Sequence, residues 1–357
     1  MKIKRLIIEN FKSIEQIELI EPNPFTVFVG PNGSGKSNIF EALEFINYSR
    51  TVDDGLLLND IFGGIDNFIN RKATTDRLYF SFECKFETFD SSYKRFFNAE
   101  TNRNPDVGGQ GFGAKIYNDG QLVGEKHADS SSHNYHSFSS DNPLALADFN
   151  LFFKKFSRLF VGKNQYQKIN GTSDARLSLS ALNLEKVLGR LLNDSAITSE
   201  FNEWLSLFIP SFDKVEIVRN KLTGEDTLLY YDQFYDRPFS RELISDGTFN
   251  ILALLTAVYQ SEEPQFLCIE EPENGLHPQV LMTLVDFFRK QCEEKGHYIW
   301  LNTHSESLVR CLTTEEIVLV NKREGATQIR QIKDRNLYDM PTDEAWLTGA
   351  LGGGLPW

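Results

Sequence analysis

The sequence predicts an α/β fold: a mixed, largely parallel sheet covered by helices, carrying a mainly helical insertion lobe. Three observations predict it. The apolar run Phe25-Thr26-Val27-Phe28-Val29 feeds directly into a glycine-rich loop and then a helix-compatible stretch from Ser37 to about Asn47. The last third of the chain alternates strand-like and helix-like segments, the signature of a parallel sheet with helical crossovers. Residues 86–240 separate these two parts and differ from both in composition and spacing.

The elements follow in order. Apolar residues at Ile3, Leu6, Ile8 and Phe11, then at Ile14, Ile17 and Leu19, predict strand, turn and strand. After the Pro22–Pro24 turn, Phe25–Val29 is continuously apolar apart from one Thr, as a strand buried on both faces must be. Residues 1–85 are read as the first half of the main domain, 86–240 as the insertion and 241–357 as the second half. Within the insertion, 98–142 is rich in Asn, Asp, Ser and Gly and predicts a loop region. Apolar residues flanking Asn118-Asp119-Gly120 predict a hairpin inside it. From 143 to 210 the spacing turns helical, with Leu177, Leu179, Leu182, Leu184, Val187, Leu188 and Leu191 among the repeats. Val215–Asn220 and Thr227–Asp232 read as returning strands. Beyond them come a helix from about Asp246, a strand at Phe266–Glu270, a helix over 278–294 and strands at Tyr298–Thr303 and Glu316–Val320.

Bulk properties narrow the function class. Of 357 residues, 41% are hydrophobic and 29 are Phe, enough for a sizeable core. No apolar run approaches the roughly 18 residues a membrane span needs, and the N-terminus lacks the apolar stretch and cleavage site of a secretory signal. A cytoplasmic chain with no membrane partner is expected. The net charge of −13 opposes autonomous binding to a phosphate backbone. Lys154, Lys155, Arg158, Lys163 and Lys168 form a local basic stretch, read here as a solvated helix face. Cys84, Cys268, Cys292 and Cys311 lack the spacing of a disulfide framework or zinc site. His127, His133 and His136 are close in sequence but lack a metal-ligand pattern and read as loop residues.

Gly30-Pro31-Asn32-Gly33-Ser34-Gly35-Lys36-Ser37 is a complete GxxxxGK[ST] loop. Its glycines let backbone N–H groups curl round phosphates, and the helix behind it presents a positive N-terminal end. Lys36 would neutralise the β- and γ-phosphates, and the Ser37 hydroxyl would meet a magnesium ion. Gly30, Asn32, Gly33, Ser34, Gly35, Lys36, Ser37 and Asn38 are the nucleotide-binding candidates in this loop. Phe266–Glu271 is an apolar strand ending in two acids, with Glu270 in the metal-side position and Glu271 as the general base that orients water. Ile244-Ser245-Asp246-Gly247-Thr248 heads a helix, and His304 follows an apolar strand. In isolation Ser245 is an N-cap and His304 an ordinary strand-end residue. Their order relative to the other two motifs points to function.

Five ordered motifs, Asn10–Ile14, Gly30–Ser37, Ile244–Thr248, Ile269–Pro278 and Asn302–Ser305, resemble the split ABC-type ATPase head of the RecF, structural-maintenance-of-chromosomes (SMC) and OLD group. The resemblance covers residues 1–85 and 241–357 and implies ATP and Mg²⁺ as cofactors. It also implies a homodimer or higher oligomer in which two heads sandwich two ATP molecules. Ser245 and Gly247 would then touch the γ-phosphate held by Lys36 of the other copy. His304 would contact the γ-phosphate as a switch histidine, and Asn274, Gly275 and Leu276 would form the loop that crosses the interface. Three departures stand out. Glu270 replaces the usual Asp, Asp246 replaces a Gly of the signature, and no Gln falls between 48 and 109 for a Q-loop. Only about fifty residues follow His304, too few for the Toprim nuclease domain of OLD proteins. The expectation is the stand-alone kind of ATPase: a slow, nucleotide-gated clamp or switch for DNA or a separate effector, such as a nuclease, in DNA repair or anti-phage defence. A nucleotide-binding subunit of a membrane transporter and a non-hydrolysing ATP-bound scaffold are the alternatives.

Overall fold

The computed structural model describes residues 2–51, 61–72, 77–85, 90–98, 111–118, 121–129, 154–161 and 176–351. The chain divides into two compact units, one of Met1–Phe156, Thr313–Met340 and Glu344–Trp357, the other of Ser157–Leu312 and Pro341–Asp343.

In the first unit, β1 (Lys2–Phe11) and β2 (Ile14–Ile20) pair antiparallel, with Ile8 opposite Ile17 and Phe11 opposite Ile14. The turn is tight: Lys12 has a positive φ of 49°. The alternation in sequence buries Ile3, Leu6, Ile8, Phe11, Ile14, Ile17 and Leu19. β4 (Arg77–Lys85) adds antiparallel to β1, and β5 (Asp90–Asn98), β6 (Gly111–Asn118) and β7 (Gln121–Asp129) extend the sheet in the order β2-β1-β4-β5-β6-β7. The hairpin expected within the loop-rich segment is present as strands 111–118 and 121–129, paired so that Asn118 faces Gln121. Asp119 and Gly120, which would close this hairpin, lie outside the described residues. His127 sits in β7 opposite Gly113, whereas His133 and His136 are also outside them.

β3 (Phe25–Val29) is buried at every position. It runs parallel to β13 (Ile317–Arg323), which pairs antiparallel with β14 (Ala326–Gln331). Positive φ at both Glu324 (51°) and Gly325 (82°) gives the β13–β14 hairpin the backbone twist of its flanking strands. α1 (Lys36–Thr51) leaves the loop after β3, and α2 (Ile65–Phe68) follows. Phe45 of α1 packs against Phe11, Phe62 and Phe68 with ring centroids 5.0–5.7 Å apart. That cluster anchors the helix, and with it the loop ahead of it.

The second unit contains β8 (Phe156–Leu159), α3 (Leu184–Leu191) and α4 (Ser195–Phe208), then the two-stranded antiparallel sheet β9 (Phe212–Arg219) and β10 (Asp226–Asp232). α5 (Asp246–Tyr259), β11 (Phe266–Glu270), α6 (Pro278–Lys295), β12 (Tyr298–Thr303) and α7 (Glu306–Val309) complete it. Leu184, Val187, Leu188 and Leu191 bury the predicted stripe of α3, and Asp194 caps α4 by accepting from the N–H groups of Ala196 and Ile197. Trp204 of α4 packs on Phe287 of α6 at 4.8 Å between centroids, with Phe208 and Tyr259 around them. β11 and β12 pair in parallel, each fully buried, and β8 borders β11.

Arg158 corrects one expectation. It lies in β8, 9% exposed, and not on a solvated helix face. The physical reason is a counter-charge, Glu270, at the end of the neighbouring strand β11.

Candidate nucleotide site

The phosphate loop is built inside the first unit. Gly33 and Gly35 adopt φ of 78° and 100°, values that a side chain resists. At Gly35 space is closed as well, because a Cβ would stand 2.0 Å from the Thr327 hydroxyl oxygen. That hydroxyl, from β14, donates to the Ser34 carbonyl at 3.0 Å and meets the Ser13 hydroxyl at 2.6 Å. The Asn38 side-chain amide donates to Ser13 at 2.7 Å. Ser13, the serine of the Asn10–Ile14 motif, is thereby tied to the loop on one side and to α1 on the other. Lys36 is buried, and its ammonium donates to the carbonyls of Gly30 and Pro31 at 2.7 and 3.0 Å. Asn32 and Gly33 are exposed at the tip, whereas the Ser34 hydroxyl oxygen is buried without a hydrogen-bond partner.

The acidic strand end belongs to the second unit. Glu270 is buried, and its Oε1 accepts from Arg158 Nε at 2.6 Å and also pairs with Nη2 of the same guanidinium. Glu271 leaves the strand at a left-handed φ of 46°, which is costly for a residue with a Cβ. Asn302, at the end of β12, offsets that cost: its backbone and side-chain oxygens both accept from the Glu271 N–H, at 3.0 and 3.1 Å. The turn aims the Glu271 carboxylate at two partners. The Asn274 amide donates to it at 3.2 Å, and His304 Nδ1 lies 3.6 Å away. The predicted base and switch histidine are therefore neighbours. Glu273 stands beside them and accepts a hydrogen bond from Thr303. Burial pushes the Glu273 carboxyl above its ordinary value, with the Thr303 bond pulling the other way.

The signature segment meets this strand end. Ser245 caps α5, accepting from the Thr248 N–H at 3.1 Å. Gly247 admits the loop of Asn274 and Gly275, since a Cβ there would fall 2.4 Å from the Gly275 carbonyl oxygen. Asn250, buried one turn further along, locks the contact by donating to the carbonyls of Pro272 and Asn274 at 2.9 and 2.8 Å. A cavity of about 580 Å³ opens here, with Asp246, Phe249, Asn250, Glu271 and Asn274 among its walls. Arg241 lines it too, held by a two-pronged pair with Glu185 at 2.9 Å and lying over the Phe249 ring at 4.4 Å.

Residues 25–310 match the family model described as "AAA domain, putative AbiEii toxin, Type IV TA system". The chain belongs to this family. Shorter matches join it to chromosome and repair proteins. Structural maintenance of chromosomes protein 1 of Arabidopsis thaliana is 43% identical over 68 residues, and chromosome partition protein Smc of Methanocaldococcus jannaschii is 40% identical over 70. DNA replication and repair protein RecF of Aliivibrio salmonicida is 34% identical over 76. These segments cover 18%, 20% and 21% of this chain but only 6%, 6% and 21% of the relatives. In fold, the chain is similar to the SMC head domain of Thermotoga maritima (TM-score 0.53, 14% identity, 93% of this chain and 100% of that one). It is also similar to the Smc head of Pyrococcus furiosus bound to the C-terminal domain of ScpA (TM-score 0.55, 14% identity, 92% and 96%). The chain thus shares the fold of these SMC heads.

The family's nucleotide fits the loop: the glycine curl, the Lys36 ammonium resting on main-chain carbonyls and the orphaned Ser34 hydroxyl are what an anion would use. For magnesium, a hydroxyl at Ser37 and a carboxylate at Glu270 are the right hard oxygen donors, but the latter is already committed to Arg158. Among the described residues no three His, Cys, Asp or Glu side chains cluster as a metal site, and no helix is long and apolar enough to cross a membrane. Sequence reasoning missed Arg158, Asn250, Asn302 and Thr327. Asn302 and Ser13 sat inside motifs already singled out. Asn250 was signalled only as a polar interruption in an apolar helix, and Thr327 had no local signal.

Proposed function

We propose that this chain binds and slowly hydrolyses ATP as a dimer, and that the nucleotide gates its grip on DNA or on a separate effector. The observation that carries the reading is the linkage between the signature helix and the acidic turn. Asn250 and the Gly247–Gly275 contact tie Ser245 to the same loop that holds Glu271. Ser245, Asp246, Asn274 and Gly275 are nonetheless exposed in the single chain. Exposed polar residues locked into one rigid edge are what a second copy's nucleotide would need.

In this reading each residue has one task. The backbone of Gly30–Ser37 and the Lys36 ammonium bind the β- and γ-phosphates. Ser37 would hold magnesium, whose charge offsets that of the phosphates when bound, and Glu270 takes the place of the metal-side acid. Glu271 accepts a hydrogen bond from the attacking water and takes its proton, and His304 contacts the γ-phosphate. Ser245 and Gly247 close over the γ-phosphate held by a second copy.

Defence and repair both fit. The family description speaks of a toxin, and relatives are named for chromosome partition and for DNA replication and repair. The net charge of −13 favours a protein effector over extended DNA contact by this chain alone. The test is ATP turnover. Lys36→Ala should abolish it, and Glu271→Gln should slow it by about 10²–10⁴-fold, the usual contribution of a positioned base. Turnover by Glu271→Gln at the wild-type rate would remove Glu271 from that role.

A further inference from the structure

We infer that Arg158 is the positioning residue of the metal-side acid: it holds Glu270 as an internal ion pair, which withdraws that carboxylate from direct ligation of a magnesium ion. The inference rests on the proposed Mg²⁺–ATP site. Three observations carry it. Both partners are buried, with side-chain exposures of 6% and 1%. Two nitrogens of one guanidinium converge on Oε1, which is the forked geometry Arg offers and Lys does not. The chain also departs from the usual Asp at this position, and the extra methylene of Glu270 extends the carboxylate by about 1.5 Å, one C–C bond length. The pair is local to the second unit, joining β8 to the end of β11.

The physical consequence concerns charge. A buried carboxylate without a partner is strongly unfavourable, whereas a guanidinium-paired one is electrically neutral as a unit. A dication approaching a neutral pair gains far less than one approaching a bare carboxylate. It would also have to compete for Oε1 with two charge-assisted hydrogen bonds. Arg158 thus sets how much of the metal's affinity the protein supplies and how much comes with the nucleotide.

Removing the arginine should therefore create a metal dependence that the wild type lacks. Thermal midpoints would be measured without nucleotide, with Mg²⁺ and with EDTA, for wild type, Arg158→Met and Arg158→Met/Glu270→Gln. Wild type should be indifferent to Mg²⁺. Arg158→Met should melt earlier and be raised by Mg²⁺, which replaces the lost cation, and the double variant should lose that response. Should Arg158→Met fail to fold, Arg158→Lys, which keeps the charge but not the fork, should show a smaller rise with Mg²⁺.

The second measurement is ATP affinity in Mg²⁺ and in EDTA, with Lys36→Ala as control. With Arg158 in place, Glu270→Gln should change the Mg²⁺-dependent part of the affinity by less than about threefold. A loss greater than about tenfold, equal to 1.4 kcal/mol, would mean direct ligation and overturn the inference while leaving the ATP site standing. Affinity that ignores Lys36→Ala would overturn the ATP site itself, and the inference with it.

Discussion

Replacing Asn250 tests the linkage on which the functional reading depends, and two substitutions there separate its causes. The side chain is buried and its amide donates two hydrogen bonds of ordinary length, to Pro272 and Asn274. Asn250→Ala removes both, each worth about 1 kcal/mol net, so the variant should lose about 2 kcal/mol. For a cooperative unit of this size that corresponds to a fall of about 4–8 °C in Tm. Asn250→Asp has the same shape but presents carboxylate oxygens to two carbonyl oxygens. An uncompensated buried charge costs about 3–5 kcal/mol, so the isosteric change should be the more damaging one. It should also depend on pH. The folded state binds the proton of the introduced carboxyl more tightly than the unfolded state, because the protonated acid can donate to one of the two carbonyls. The deficit should shrink as pH falls toward 5 and grow as it rises, while that of Asn250→Ala stays level. Thermal unfolding of both variants between about pH 5 and 8 is the assay. An Asn250→Asp protein as stable as wild type, or a deficit flat with pH, would refute the idea that donation to these carbonyls locks the helix to the loop.

Other outcomes follow from the same geometry. Burial raises the Glu273 carboxyl, so its contribution favours folding at low pH and is lost as pH climbs through the raised value. Glu273→Gln should therefore gain on wild type as pH rises from about 4 to 7, and parallel stability curves would contradict this. Gly247→Ala drives a Cβ into the Gly275 carbonyl oxygen. It should cost about 1–3 kcal/mol in denaturant melts, as overpacking does, and it should abolish ATP-dependent association. Asn302→Ala removes one of the two acceptors holding Glu271 in its left-handed turn. Single-turnover hydrolysis should slow by about tenfold, the equivalent of 1.4 kcal/mol in positioning, with ATP affinity unchanged.

What was legible in the sequence was local. The run Phe25–Val29, the glycine spacing after it and the helix expected from Ser37 to about Asn47 form one continuous pattern, and the structure follows it, with the helix running from Lys36 to Thr51. The same holds for Phe266–Glu270 and for the Ser245 cap, where the signal lies within a few residues. What escaped was non-local. Arg158 lies 112 residues from Glu270, and its basic neighbours suggested a solvated face, so only the pairing of β8 with β11 reveals why it is buried. Thr327 reaches Ser34 across 293 residues. Asn250 opens the buried stretch of its helix, Asn250–Tyr259, and could not be told from a tolerated polar residue without its two acceptors. Around 98–142 the Asn118–Gly120 signal gave the β6–β7 hairpin, but the polar composition around it suggested loop and did not register the pairing of β6 with β5 that joins the hairpin to the sheet.

The most direct test of the account is molecular mass by light scattering, for wild type and Glu271→Gln, without nucleotide and with ATP and Mg²⁺. A monomer is expected without nucleotide and a dimer or larger assembly with ATP and Mg²⁺, most persistent in Glu271→Gln. A mass that ignores nucleotide in both proteins while ATP is bound would contradict it.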